Sequence, residues 1–251
     1  MTVMPMARRT DPDLTEARAD LAAAFRWTAR LDMHEGVANH FSLAVSDDGQ
    51  QFLINPRGRH FSRIRARDLV LVDAGDPTTT DRPDAPERTA WALHGAVHRN
   101  VPAMRCVMHV HSHYATALAC LADPSIPPVE QTCMRFYQRT AVDRGYGGLG
   151  LDEEAERVSR LFAQAPVLIM GNHGVMIGGP SVAWVFDELF YFERACRTLL
   201  TAYATGRPLS IVSDAVAAKT RDQWLAHPDG AEDHFRELRA ILDDEGSDYA
   251  A

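Results

Sequence analysis

The stretch Val107-Met108-His109-Val110-His111-Ser112 runs from apolar residues into two histidines separated by a single position. With Arg105 and Cys106 before it, the segment alternates. Cys106, Met108 and Val110 fall on one side and Val107, His109 and His111 on the other, which predicts a strand over residues 105–111. Residues two apart on a strand point to the same face, roughly 7 Å apart along the chain. Two imidazoles then stand side by side at a strand end, able to bind one ion through nitrogens at about 2.0–2.1 Å. His113 is placed either to join them or to cap the following helix. A short strand over residues 166–170 leads into Gly171-Asn172-His173-Gly174, whose flanking glycines suit a tight backbone that aims His173 inward. Three imidazoles on neighbouring strand ends would leave open positions on a metal, as catalytic rather than sealed structural sites do. An isolated His-x-His is more often an ordinary polar pair, so the wider pattern has to carry the reading.

Outward from this stretch, helices and strands interleave. A capped amphipathic helix is expected from Asp11-Pro12-Asp13 to about Leu31, with Leu14, Ala17, Leu21 and Phe25 on one face. Residues 41–45 and 51–54 read as a hairpin around Asp47-Asp48-Gly49, and residues 69–72 as another strand. Residues 73–86, rich in Asp, Thr and Pro, read as an exposed loop. Helices are expected over 87–100, 114–121 and 152–163, the last with acidic residues in its first turn, where the macrodipole favours them. Gly174 to Ile177 continues the sheet, and Met134-Arg135-Phe136-Tyr137 reads as a further strand. Residues 182–203 carry Val182, Val185, Leu189, Phe192, Cys196 and Leu199 at the three-and-four spacing of one buried helix face. Trp184, Phe186, Phe190 and Phe192 read as packing residues. Two weaker helices precede an acidic tail, residues 243–251, expected to fray. The simplest architecture is a single three-layer α/β/α domain with a central, mainly antiparallel sheet. A flexible N-terminus over 1–13, the domain over 14–208 and a helical extension with an acidic tail over 209–251 complete the expected organisation.

Composition narrows the function. The chain has 251 residues, 46% apolar and 24% charged, enough for one real core. Its net charge of −8 argues against nucleic acid as a partner, since that binding rests on basic residues neutralising phosphates. No apolar run is long enough to span a bilayer and none follows Arg8 and Arg9, so no membrane partner and a cytoplasmic location are expected. Cys106, Cys120, Cys133 and Cys196 form no Cys-x-x-Cys pair and read as buried free thiols.

Five motifs stand in order: Gly36-Val37-Ala38-Asn39-His40-Phe41-Ser42, Phe52-Leu53-Ile54-Asn55-Pro56-Arg57-Gly58, Leu93-His94-Gly95-Ala96-Val97-His98, Val107-Met108-His109-Val110-His111-Ser112 and Asn172-His173-Gly174-Val175. Together, from about Leu14 to Pro208, the chain resembles the class II aldolase/adducin family. The resemblance implies one divalent metal ion, zinc first with iron or manganese as alternatives, on His109, His111 and His173. It also implies a homotetramer. The metal would polarise a substrate carbonyl when a carbon–carbon bond breaks or forms.

The chain departs from the family's sugar-phosphate aldolases. Their catalytic glutamate falls at Ala90, which cannot take a proton, and their proton-donating tyrosine at Gln131, a poor acid. The serine pair before the glutamate becomes Arg88-Thr89. Asn39 and Gly58 match positions that line the substrate anion, and Asn55 belongs to the same motif as Gly58. Arg57 to Arg67 holds five arginines in eleven residues. Arginine donates two parallel hydrogen bonds to a carboxylate, so Arg57 or Arg59 is a candidate for a substrate carboxylate. Arg63, Arg65 and Arg67 read as a solvated or interface strip. For the missing base, Glu87 lies on roughly the same helix face as His94, and Glu130 neighbours Gln131. His60, His94 and Tyr137 are further candidates; His94 and His98 read as a partner to substrate or an exposed pair.

Three functions compete. The first is a metal-dependent lyase cleaving a carbon–carbon bond, by aldol-type cleavage or decarboxylation, in a small oxygenated carboxylate. The second, also implied by the resemblance, is a non-haem iron oxygenase on aryl-pyruvate or mandelate-type substrates, since three histidines hold iron as readily as zinc. The third is an adducin-like non-catalytic scaffold, which the absent base and acid would suit and the intact histidines would not.

Overall fold

The computed structural model describes residues 14–148 and 153–251. The chain begins with α1 (Thr15–Arg30), then β1 (His40–Ala44), β2 (Gln51–Ile54) and β3 (Val70–Asp73). There follow α2 (Arg88–Asn100), β4 (Cys106–Val110), α3 (His113–Ala119), α4 (Gln131–Arg135), β5 (Thr140–Asp143) and α5 (Glu153–Phe162). The rest is β6 (Val167–Met170), β7 (Gly174–Gly179), α6 (Val182–Ala204), α7 (Asp214–Leu225) and α8 (Asp229–Asp244). One sheet of seven strands runs β3-β2-β1-β4-β7-β6-β5, with every neighbouring pair antiparallel except β5 and β6.

Both faces of β4 are buried, because the sheet lies between two helical layers. Cys106, Met108 and Val110 pack with α1, α3 and α6 through Phe25, Leu118, Phe186 and Leu189. Val107, on the other face, packs with Leu93 and Val97 of α2 and Val158 and Phe162 of α5. Each such apolar side chain contributes about 1.5–3 kcal/mol by leaving water. The three-layer, mainly antiparallel architecture therefore follows from period-two strands and the buried stripe of α6.

Several expectations need correction. Residues 134–137 do not form a strand. Glu130 accepts from Thr132 N–H and Cys133 N–H at 2.8 Å each and starts α4 there. Cys133 through Phe136 are all buried, Arg135 against Asp187 (2.6 Å) and Glu188 (2.8 Å), so their polar–apolar alternation never divides inside from outside. The sheet edge is instead β5, four residues flanked by arginines, too short to give a periodic signal. Residues 73–86 end a strand and include a 3-10 helix, Pro77–Asp81, with Thr79 and Ala85 buried.

The acidic tail is docked. Ala66 N–H donates to Tyr249 O (2.7 Å), Arg67 N–H to Ala251 O (3.1 Å), and Asp248 pairs with Arg26 and Arg65 at 2.7 and 2.6 Å. Tyr249, 1% exposed, joins Phe235, Leu238 and Leu242 of α8 in the core that α1 and α6 share. Part of the arginine strip thus serves the chain's own C-terminus, with Arg63 and Arg67 left exposed. Residues 1–13, the expected cap Asp11-Pro12-Asp13 and the start of the acidic turn at Asp152 lie outside the described residues; Leu14 caps α1 without a side-chain bond. Cys106, Cys133 and Cys196 are buried thiols, whereas Cys120 is exposed.

Candidate metal centre

Two neighbouring strands deliver the three histidines to one end of the sheet. β4 carries His109, and His111 follows its last residue. His173 closes the β6–β7 turn, where Asn172 adopts φ +59° and His173 N–H donates to Met170 O at 3.0 Å. Asn172 N–H is tied to Ala119 O at 3.0 Å, so the turn is held from two sides. A Cβ on Gly174 would meet Val110 O at 2.5 Å and His111 Cδ2 at 2.9 Å, hence glycine where β7 begins against β4. His113 does not join the cluster. It is exposed at the start of α3, whose N-terminal amides Tyr114 and Ala115 are capped by the buried carboxylate of Glu193 at 2.9 Å each.

The three ring centroids lie 4.8 Å from one another, and one nitrogen from each of His109, His111 and His173 falls within 4.8 Å of the others. Among the described residues these form the one cluster of three or more metal-ligating groups. Hydrogen bonds set the tautomers. His109 Nδ1–H donates to Val175 O at 3.0 Å, since a carbonyl can only accept. His111 Nδ1–H donates to Glu35 Oε2 at 2.6 Å. In the neutral rings both Nε2 atoms then carry lone pairs, yet they stand 3.0 Å apart. Two acceptors at that distance repel unless a cation lies between them, so the donor set fits a divalent ion.

A second histidine pair shows the contrast. His34 Nε2 and His60 Nε2 are also 3.0 Å apart. There Ser62 N–H donates to His60 Nδ1 at 3.2 Å, so His60 carries its proton on Nε2 and gives it to His34. That pair is an ordinary hydrogen bond and needs no ion.

Burial pushes His109 well below the ordinary histidine range, with His40, His111 and His173 adding to the effect. His173 falls to about 4, from burial first and His111 second, against a weaker pull from Glu154, Asp143 and Glu35. Both rings are therefore neutral at neutral pH, the form in which an imidazole can bind a metal.

The other expected site residues divide. Glu87 is the N-cap of α2, its Oε2 accepting from Thr89 N–H (2.7 Å) and Ala90 N–H (3.1 Å), and Glu130 caps α4. Both carboxylates are spent on helix starts. His94 and His98 are fully buried rather than exposed. Asn55 braces the backbone, accepting from Phe41 N–H and donating to Asn39 O. Asn39 Oδ1 accepts from Glu35 N–H at 2.7 Å and so holds the loop that presents Glu35 to His111. Among the described residues its buried Nδ2 has no partner. Arg57 and Gly58 (φ +70°) are exposed, and Arg59 gives one nitrogen to Asp68 at 2.8 Å while its buried Nε has no partner among the described residues. Tyr137 interacts with Asp214, and Gln131 is exposed at the start of α4.

Sequence reasoning gave no role to Glu35, His40 or Ser42. Strand register would have found His40, because it pairs directly with His109 across β1 and β4. Glu35 sits in a loop without periodicity and left no signal.

Residues 19–200 match the family model described as the Class II Aldolase and Adducin N-terminal domain, and the chain belongs to that family. Its fold aligns at a TM-score of 0.87 with an aldolase II superfamily protein from Pseudomonas syringae, at 32% identity over 97% of this chain and 98% of that one. It is 28% identical over 211 residues to the decarboxylase NovR of Streptomyces niveus (82% of this chain, 76% of the relative). It is equally similar over the same length to a 4-hydroxy-3-prenylphenylpyruvate oxygenase/4-hydroxy-3-prenylbenzoate synthase of Streptomyces roseochromogenus (82% and 74%). No helix among the described residues is long and apolar enough to cross a membrane.

Proposed function

We propose that the protein is a divalent-metal-dependent lyase that cleaves a carbon–carbon bond, by aldol-type cleavage or decarboxylation, in a small oxygenated carboxylate. The observation that carries this reading is the pair of converging Nε2 lone pairs on His109 and His111, both Nδ1 protons committed, with His173 beside them. A bound divalent ion, zinc first, would act there as a Lewis acid toward a substrate oxygen. Val175 O and Glu35 hold the imidazoles of His109 and His111 in orientation. Arg57 is exposed and free to offer its fork to a substrate carboxylate. The family's homotetramer and a cytoplasmic setting belong to the same proposal. An inert scaffold would leave the histidine geometry without a purpose.

A second reading has support in the relative named as an oxygenase on a phenylpyruvate, since three imidazoles also hold iron. The test is a panel of small hydroxy- and keto-acids offered to protein loaded with zinc, manganese or iron, with products and oxygen both followed. Metal-dependent cleavage without oxygen uptake, abolished in a His109→Ala/His111→Ala variant, is expected. Turnover that requires iron and consumes oxygen would replace the lyase by the oxygenase.

A further inference from the structure

A chain of buried side chains runs back from the metal centre into α2, and its hydrogen bonds can point only one way. Its far end is Met104 O, a carbonyl that can only accept, so His98 Nδ1 carries the proton of that 3.0 Å bond. His98 Nε2 is then an acceptor and takes the Ser42 hydroxyl proton at 2.7 Å. With its one proton spent, Ser42 Oγ accepts from His94 Nδ1–H at 2.5 Å. His94 Nε2 is left to accept from His40 Nδ1–H at 2.7 Å. All four side chains are buried, and each donates away from the metal centre.

The consequence falls on His40. Its ring lies beside that of His109, tilted by 34° with centroids 4.9 Å apart. Among the described residues its Nε2 has no hydrogen-bond partner, and it is not among the fully enclosed unpartnered atoms, although the residue as a whole is only 7% exposed. His40 is not itself one of the clustered ligands. We infer that His40 Nε2 is the proton acceptor of this site, in place of the carboxylate absent at Ala90, and that His94, Ser42 and His98 are positioning residues that hold it in the Nδ1–H tautomer.

This inference rests on the lyase reading. In an aldol-type cleavage, the substrate hydroxyl O–H bond breaks and its proton passes to His40 Nε2. The C–O bond becomes a carbonyl, the adjacent C–C bond breaks, and its electron pair enters the other fragment as an enolate. The proton on His40 then returns to the carbon of that fragment. The chain ends on a backbone carbonyl that cannot take a proton, so it orients His40 and does not conduct.

Neutron diffraction on zinc-loaded, deuterium-exchanged protein reads the tautomers directly, with metal content measured on the same preparations. Deuterium is expected on Nδ1 and not on Nε2 of His40, His94 and His98. Ser42→Ala removes the acceptor of His94 Nδ1–H, so His94 and His40 are both expected to switch to the Nε2–H form with the metal retained. Deuterium on His40 Nε2 in the wild type would overturn the proposal, as would a Ser42→Ala variant whose His40 does not switch. On an acid that the wild type cleaves, His40→Gln is expected to lower kcat roughly 10²–10⁴-fold with KM little changed. Ser42→Ala should lower it on the same scale, because His40 in the Nε2–H form has no lone pair there to accept a proton. Full turnover by a metal-loaded His40→Gln variant would overturn the catalytic role alone. Metal-loaded wild type that cleaves nothing would overturn the lyase reading beneath it.

Discussion

Of the two contacts that orient the β4 histidines, one comes from a backbone carbonyl and cannot be mutated away; the other is Glu35. Glu35→Ala removes the 2.6 Å acceptor from His111 Nδ1–H. Orienting partners of metal-bound histidines are worth about 10–100-fold in affinity. The Glu35 side chain is 66% exposed, so water replaces much of what is lost, which places the expected effect near the lower bound. Metal binding is expected to weaken about tenfold, about 1.4 kcal/mol. Glu35→Gln keeps an acceptor without the charge and should fall between wild type and alanine. Asn39 holds the same loop through Glu35 N–H, so Asn39→Ala should weaken metal binding too. The double variant should be no weaker than Glu35→Ala alone, because both substitutions break one connection. The assay is competition for zinc against a chromophoric chelator, with melting of the metal-free proteins as a folding control. Unchanged affinity in Glu35→Ala would reduce Glu35–His111 to an incidental surface pair.

Three further outcomes follow from particular contacts. Gly174→Ala forces a Cβ to within 2.5 Å of Val110 O and should destabilise the metal-free protein by about 1–3 kcal/mol in urea unfolding; an unchanged midpoint would contradict the close β4–β7 approach. Tyr249→Ala should cost about 3 kcal/mol, the scale of a buried aromatic, whereas a loose tail would tolerate it. Burial lowers His98 from 6.5 to about 4, so between those values the unfolded chain binds the proton that the folded chain refuses. Stability is complete above about pH 6.5 and falls as pH drops toward 4, by up to about 3 kcal/mol from this group. His98→Gln should flatten that slope in urea titrations of the metal-free protein, and an identical slope would exclude His98 as its source.

Much of this was legible in the sequence for physical reasons. Val107 to His111 alternates because β4 is covered on both faces, and α6 shows its stripe because that face lies on the sheet. That the three histidines would cluster could be read because they sit at strand ends, where spacing translates into direction. What escaped was set by long-range pairing. Arg135 is buried by carboxylates 52 and 53 residues away, and so hid a helix behind an apparent strand. The tail looked frayed because its partners, Arg26 and Arg65, lie at the other end of the chain. Glu87 and Glu130 looked like bases because nothing local separates a catalytic carboxylate from a helix cap.

The central claim is that His109, His111 and His173 hold one divalent ion, and elemental analysis of anaerobically purified protein tests it most directly. Close to one equivalent of metal per chain is expected in the wild type, lost in the His109→Ala/His111→Ala variant while the fold is retained. A wild type that carries no metal and takes up none on reconstitution would contradict it.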